Sequence, residues 1–419
     1  MSRYTRRLIL PGIIALVLAG TVLVFRDPSI RSRAEWRYEV WGTYLKNAID
    51  PVGPLPTPAA ATRLPSTTPT PTAAETLAPA TPTPAASPLP PSVSLAAPQY
   101  ERQGINNCGP ATLAMTLRMY GWEGDQYDIA GIVKPLDQDR NVNPEELRYY
   151  VLNEAGWLRA EYRVAGNISL LKGLLAANYP VIVEAATYID PQDASGPADD
   201  LWAAHYLLVT GYDDAKQVVT AHDPLRGPGT QISYEALMED WKPFNYLYMV
   251  LYFPQDEPEV AAILGNDWDA ALNRQRALQI AQQATTADPR DAFSWFNLGA
   301  TQVYAERYEE AAQAFDTAFT LGLPQRMTRY QFWPFVAYYN ADRIDYLLTI
   351  TENTYKVING NYSEEALLWH GYGLLRAGDT QGAAASWNKA LSVHPRYCDA
   401  ERAINEFVAA TYDLTGCSP

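Results

Sequence analysis

Residues 51–98 form a tract of Pro, Thr, Ala and Ser in which Arg63 and Glu75 are the only charges. A stretch of this composition buries too little apolar surface to offset the ordering of its backbone, so it forms no domain. It divides the chain instead. The C-terminal side is long enough for two cores, and the N-terminal side is not. The reading that results is a cytoplasmic N-terminus and transmembrane signal anchor over 1–27 and a juxtamembrane segment over 28–50. A disordered stalk over 51–96 comes next, then an α+β domain over 97–254 and an all-α repeat domain over 257–418.

Residues 8–25 are apolar and uncharged, and at ~1.5 Å per residue they cross most of a hydrocarbon core of roughly 30 Å. Neither a small-x-small cleavage site nor a lipid-accepting cysteine comes after it, so the run reads as a single transmembrane helix that stays in place. Arg3, Arg6 and Arg7 lie on one side and Arg26, Arg31, Arg33 and Arg37 on the other, so flanking charge does not settle the orientation. The stalk does more. Polyproline-like conformers of ~3.1 Å per residue reach on the order of 100 Å, which suits a spacer holding an extracytoplasmic bulk off a membrane surface. Trp36, Tyr38, Val40, Trp41 and Tyr44 read as an interfacial aromatic patch.

The formal net charge of −15 argues against a nucleic-acid partner, which requires a basic stripe. Of the three cysteines, Cys398 and Cys417 either pair in an oxidising compartment or stand as separate thiols, and Cys108 is left free. The four histidines form no Cys-x-x-Cys or His-Glu-x-x-His spacing, and no phosphate loop or dinucleotide fingerprint occurs. No metal and no cofactor are expected.

Chemistry concentrates between the stalk and residue 254. Cys108 precedes an apolar helical pattern, with Pro110 in the first turn where its missing N–H costs nothing. There the positive end of the helix dipole favours thiolate over thiol. Further helical patterns occupy 144–154 and 169–178. The period then changes to short strands at 181–185, 205–212, 217–221 and 246–252. A hairpin turn at Asp213-Asp214 brings His205 near Asp223. A thiol that attacks an amide needs a base within reach and a third group to orient that base. Cys108, His205 and Asp223 supply these types in that order, and Gln103 supplies an N–H for the oxyanion alongside the backbone N–H of Cys108. His222 reads as structural. The acidic loop 190–200 covers the cleft or is plain surface.

A lone cysteine at a helix start is usually a small buried hydrophobe. Three motifs in order reverse that expectation. Gln103…Asn107-Cys108-Gly109-Pro110-Ala111, Ala204-His205-Tyr206-Leu207-Leu208-Val209-Thr210-Gly211-Tyr212 and His222-Asp223-Pro224 resemble the papain-like cysteine peptidases typified by the double-glycine leader peptidases of bacteriocin export. The resemblance implies a papain-like α+β fold with Cys108, His205 and Asp223 as catalytic residues and Gln103 in the oxyanion hole. Four residues separate Gln103 from Cys108, against the usual five of papain-like enzymes, and no nucleotide-binding domain accompanies the motifs. Substrate is therefore not carried over.

The C-terminal part repeats itself. Trp295-x-x-Leu298-Gly299 with Ala311, Phe315 and Ala318 resembles a tetratricopeptide repeat. Gly371, Ala383, Trp387, Ala390 and Pro395 form a later copy, and Ala277, Ala281, Ala284 and Pro289 an earlier one. A degenerate copy is expected between them, kinked at Pro334, with a cap over 399–412. About four repeats stack into a tetratricopeptide solenoid whose concave face binds a peptide or protein, or which serves as a platform for the peptidase domain. The expectation is a membrane-anchored cysteine peptidase acting on a peptide or protein substrate, with a possible protein partner on the repeats. A non-catalytic adaptor and an amide or acyl transferase are the alternatives.

Overall fold

The computed structural model describes residues 28–51, 53–58, 88–356 and 362–407. The apolar run 8–25, most of the stalk, Cys417 and the end of the cap lie outside the described residues. Among the described residues no helix is long and apolar enough to cross a membrane.

Seven antiparallel strands form the sheet: β1 Ser92–Ser94, β2 Arg159–Arg163, β3 Val181–Tyr188, β4 Trp202–Asp213, β5 Val218–Asp223, β6 Gly227–Ser233 and β7 Tyr248–Tyr252. Their order is β2-β7-β3-β4-β5-β6, with β1 paired to the far end of β4. Strands β3, β4, β5 and β7 fall on the expected runs. Strands β1, β2 and β6 were not legible, because they are short or half-exposed and their side chains show no clear alternation. The residues buried along β3, β4 and β7 pack on both faces of the sheet, which accounts for the near-continuous apolar runs that mark these strands in the sequence.

Helix Cys108–Arg118 packs on one face, with residues Gly109 through Leu117 buried along its whole length. Helix Ile168–Ala176 packs on the other through Leu171, Leu174 and Leu175. The expected helix near 144–154 begins as Pro144–Tyr149, with Asn143 and Glu146 closing a capping box, and continues as a π-helical turn over Tyr150–Ala155. Helix Gln126–Val133, capped by Asp125, is additional.

Beyond β7 the chain is helical. Ala270–Ala287, Ala292–Tyr304, Tyr308–Leu321, Trp333–Asn340, Ile344–Lys356, Glu364–Arg376, Thr380–Val393 and Cys398–Phe407 succeed one another, each packed against its neighbours in sequence. Glycine marks two of the crossings for a steric reason. A Cβ on Gly299 would lie 2.7 Å from the Phe315 ring, and one on Gly371 would lie 2.3 Å from Trp387 Nε1. Pro334 differs from expectation. It stands in the first turn of Trp333–Asn340, where a proline starts a helix and does not kink it.

The stalk and the juxtamembrane segment also differ from their readings. Residues 28–49 form helix Pro28–Ile49, and Trp36 carries the Arg140 guanidinium 4.4 Å above its ring. Val40 and Asn47 are buried, while Arg37 pairs with Asp193 and Asn47 Nδ2 donates to Ser195 O at 2.7 Å. The aromatic patch is therefore divided. Trp36 docks on the folded unit, and Tyr38, Trp41 and Tyr44 remain exposed. Within the Pro-rich tract, Leu55 is buried in the core of the helical region and Pro56 O accepts from Tyr346 Oη at 2.5 Å. At its other end β1 joins the sheet, where a Cβ on Gly211 would lie 2.6 Å from Val93 O. Both flanks of the tract are thus docked, because a few apolar residues within its bias find a groove and a strand edge.

Candidate active site

Asn106 takes a left-handed φ of 52°, which turns the chain into the helix that Cys108 opens. The preceding loop is held by one side chain that sequence reasoning missed. Gln126 Oε1 accepts from Gly104 N at 2.6 Å and from Asn107 Nδ2 at 2.8 Å, while its Nε2 donates to Glu101 Oε1 and Arg102 O. Nothing in the sequence around Gln126 signals this.

Strand β4 presents His205 and the end of β5 presents Asp223; the intervening turn is closed by Ala215 N and Lys216 N donating to Asp213 Oδ1. His205 Nε2 lies 2.7 Å from Asp223 Oδ1, which leaves Nδ1 for the Cys108 thiol, a group close enough to shift His205 and to be shifted by it. Asp223 is fully buried, and its Oδ1 also accepts from Leu225 N at 2.8 Å and Arg226 N at 3.0 Å. The three residues therefore form one chain of interacting groups, hydrogen-bonded between His205 and Asp223 and electrostatically linked between Cys108 and His205.

The electrostatics arise from that chain. Burial opposes charge on all three groups, and their contacts outweigh it. The thiol of Cys108 is lowered from its ordinary value because His205, by hydrogen bond and charge, and the backbone N–H groups of Tyr206 and Gly109 outweigh burial. His205 is raised to about 9 against its burial, through Asp223 and Cys108. Asp223 is lowered against its burial, chiefly by His205. The charged form of each of Cys108 and His205 thus favours the charged form of the other, as a coupled pair.

Gln103 N donates to Pro224 O at 2.9 Å, so the residue lies against the loop that carries Asp223. Its side-chain oxygen is buried without a partner. His222 sits on β5 opposite Leu208, buried and with its own value lowered by that burial, outside the hydrogen-bond chain. The loop 190–200 is tied to Asn47 at Ser195 O and to Gln325 N at Asp200. It is pinned to the N-terminal helix and, through Asp199, to Arg326.

Two further side chains join the site. Glu184 on β3 pairs in register with Tyr206 on β4 and is 5% exposed. Burial, then the charges of Cys108 and Glu145, push its carboxyl well above the ordinary value. Tyr206 Oη donates to Val142 O at 2.9 Å. Glu184 borders a cavity of about 340 Å³ between the sheet and the helices, walled by Tyr162, Phe244, Tyr304, Trp333 and Trp369. Through Tyr162, Arg274 and Tyr304 it adjoins a hollow of about 670 Å³. These sizes suit a small-molecule or peptide site. A glutamate inside a β-branched run was the available signal for Glu184.

Among the described residues, Glu146, Glu364 and His394 are the one group whose ligand atoms lie close enough to hold a metal, within 4.8 Å of one another. Lys134, buried and with its own value lowered by burial, feels the charges of Asp139, Asp137, Cys108 and Glu364.

A cysteine opening a helix, with an imidazole and a buried carboxylate beside it on a papain-like α+β fold, fits an enzyme of the cysteine peptidase class. Residues 94–249 match the Peptidase_C39 like family. Solved structures with partial likeness include a C39-like peptidase from Bacillus anthracis, 16% identical, covering 38% of this chain and 97% of that one, with a TM-score of 0.31. Xylellain, a cysteine protease from Xylella fastidiosa, is 18% identical and covers 40% and 87%, with a TM-score of 0.29. YrrB, a TPR protein with an unusual peptide-binding site, is 17% identical and covers 35% and 89%, with a TM-score of 0.19. No curated protein matches the chain.

Proposed function

We propose that the protein is a membrane-anchored, extracytoplasmic cysteine peptidase in which Cys108, His205 and Asp223 hydrolyse a peptide bond. The observation that carries this reading is the 2.7 Å contact of His205 Nε2 with Asp223 Oδ1, with Cys108 and His205 each favouring the charged form of the other. The Cys108 thiolate attacks the scissile carbonyl, and His205 gives its Nδ1 proton to the leaving amine. His205 then takes a proton from the water that releases the acyl group, while Asp223 holds the ring through Nε2. Gln103 and the backbone N–H of Cys108 face the oxyanion.

The helical pairs are tetratricopeptide repeats, a reading supported by the Gly299–Phe315 and Gly371–Trp387 crossings. Their aromatic side chains Tyr304, Trp333 and Trp369 form one wall of the cleft beside Glu184, so the repeats guide a peptide toward Cys108. Anchoring rests on the apolar run 8–25. The extracytoplasmic placement is supported by Cys398, which is disulfide-bonded, as suits an oxidising compartment. Its expected partner, Cys417, lies outside the described residues.

The test is alkylation of the full-length protein by a thiol-directed peptide probe across pH. Cys108 is labelled faster than free cysteine below pH 8, and His205→Ala removes that advantage. Labelling at the rate of free cysteine at every pH sinks the proposal.

A further inference from the structure

Arg326 and Arg329 are 1% and 4% exposed, and with Arg140 they bring three guanidinium groups to the junction of sheet and helices. Four of their nitrogens are buried without any hydrogen-bond partner: Nε and Nη2 of Arg140, Nε of Arg326 and Nη1 of Arg329. Arg326 is in part committed, to Asp199, to Trp202 O at 3.0 Å and to Asp200 at 3.6 Å. Arg140 touches the Trp36 ring face. The groups lie close enough to weaken one another's charge. Arg140 is lowered to about 10 by burial and then Arg326, Arg329 to about 9 by burial, Arg140 and Arg326, each against partial support from Tyr330 and Asp199.

Asp199 cannot answer all three cations, because one of its oxygens already serves Arg326 Nη2 and Ser195 N. Glu39 is half-buried near Arg140 and is itself raised by burial. What the place lacks is negative charge with several acceptor lone pairs in a small volume, which is what guanidinium groups bind best. We propose that Arg140, Arg326 and Arg329 form a site for one compact oxyanion, of the carboxylate or phosphate class. The anion pins the N-terminal helix at Trp36, the loop carrying Arg140 and the helix Met327–Tyr330 to one another. Tyr330, next to Arg329, also lines the cleft beside Glu184, so the site adjoins the substrate groove without using Cys108.

The experiment is thermal unfolding of the full-length protein in chloride, phosphate and acetate at matched ionic strength, with Arg329→Met beside the wild type. Phosphate and other excluded salts stabilise most proteins generically, so the quantity read is the rise in wild type minus the rise in the variant. An excess of about 3 °C or more is expected at on the order of 100 times the Kd of the anion that binds. Whether phosphate or acetate gives it names the class. In chloride the variant is as stable as the wild type or more so, because it has lost an unpaired buried charge. Equal rises in wild type and variant for both anions overturn the proposal, and so does a wild type whose Tm ignores the anion. If Arg329→Met does not fold, Arg140→Gln, on a part-exposed loop, gives the same reading.

Discussion

The molecule buries ionisable groups in two regions and treats them in opposite ways. Around Cys108, thiol, imidazole and carboxylate favour one another's charged forms, and Asp223 Oδ1 takes part in three hydrogen bonds. At the junction between sheet and C-terminal helices, Asp139, Glu146, Glu364 and Glu365 crowd one another around Lys134 and His394, and Glu364 Oε2 has no partner although Oε1 lies 3.3 Å from His394 Nδ1. Adjacent residues carry the two signs into that junction, Asp139 to the acids and Arg140 to the arginines. Matched charges hold a geometry in which a proton moves. Unmatched charges leave the tightness of a contact open to protons and bound ions.

Breaking the matched region has the largest effect. Cys108→Ala abolishes peptide hydrolysis, a loss of at least about 10³-fold in kcat/KM, while unfolding by circular dichroism stays within a few degrees. A variant that keeps hydrolysis removes Cys108 from the chemistry and the comparison with it.

Asp223→Asn comes next, with a loss on the order of 10²–10⁴-fold and a diagnostic change in the pH profile. His205 rises on folding from 6.5 to about 9, so its stabilising contribution is complete below about pH 6.5 and is lost as pH rises through about 9. The alkaline limb of kcat/KM accordingly lies near 9. Without the Asp223 charge that limb moves toward neutrality, and an unmoved limb separates Asp223 from the histidine.

The grouping of Cys108, His205 and Asp223 was legible because its signals are local in sequence: a cysteine before a helix, a histidine on an apolar strand, an Asp-Pro at the end of the next. Strand β1 and Leu55 were not legible. Each is a few apolar residues inside a Pro-rich bias, and only the groove or the strand edge they meet gives them structure. Gln126 and Glu184 escaped for a related reason. What matters in each is the set of long-range partners, and spacing does not reveal it. Pro334 was placed correctly in a helical region and misread in effect, because proline ends or begins a helix according to a boundary that periodicity fixes poorly.

A smaller effect tests the packing of the C-terminal helices apart from the site. Gly371→Ala places a Cβ against Trp387, at 2.3 Å from Nε1. The indole is fully buried and donates to Leu368 O at 3.1 Å, so it cannot swing away. A destabilisation of about 1–3 kcal/mol is expected, measured by denaturant unfolding, with alkylation of Cys108 unchanged. A change in that alkylation rate would mean that the C-terminal helices and the Cys108–His205 pair are coupled more tightly than the two-region contrast allows.

The smallest effect is the sharpest test of unmatched charge. Glu364 is raised well above its ordinary value of 4.5 by burial and then by the Glu365 charge. Its contribution to stability is therefore complete below about pH 4.5 and is lost as pH rises through the folded value. Asp223 runs the other way: lowered from 3.8, it contributes above that value and loses the contribution as pH falls through its folded one. Glu364→Gln removes the first dependence and leaves the second. Its Tm should exceed the wild type's by about 2–4 °C at pH 8, equivalent to roughly 1 kcal/mol, with the gap closing toward pH 4.5. A lower Tm at pH 8 would mean that the Glu364 carboxylate is held charged by a cation, Lys134 or a bound metal ion. The junction would then be a second matched region, and the contrast with Cys108, His205 and Asp223 would be one of partner and not of principle.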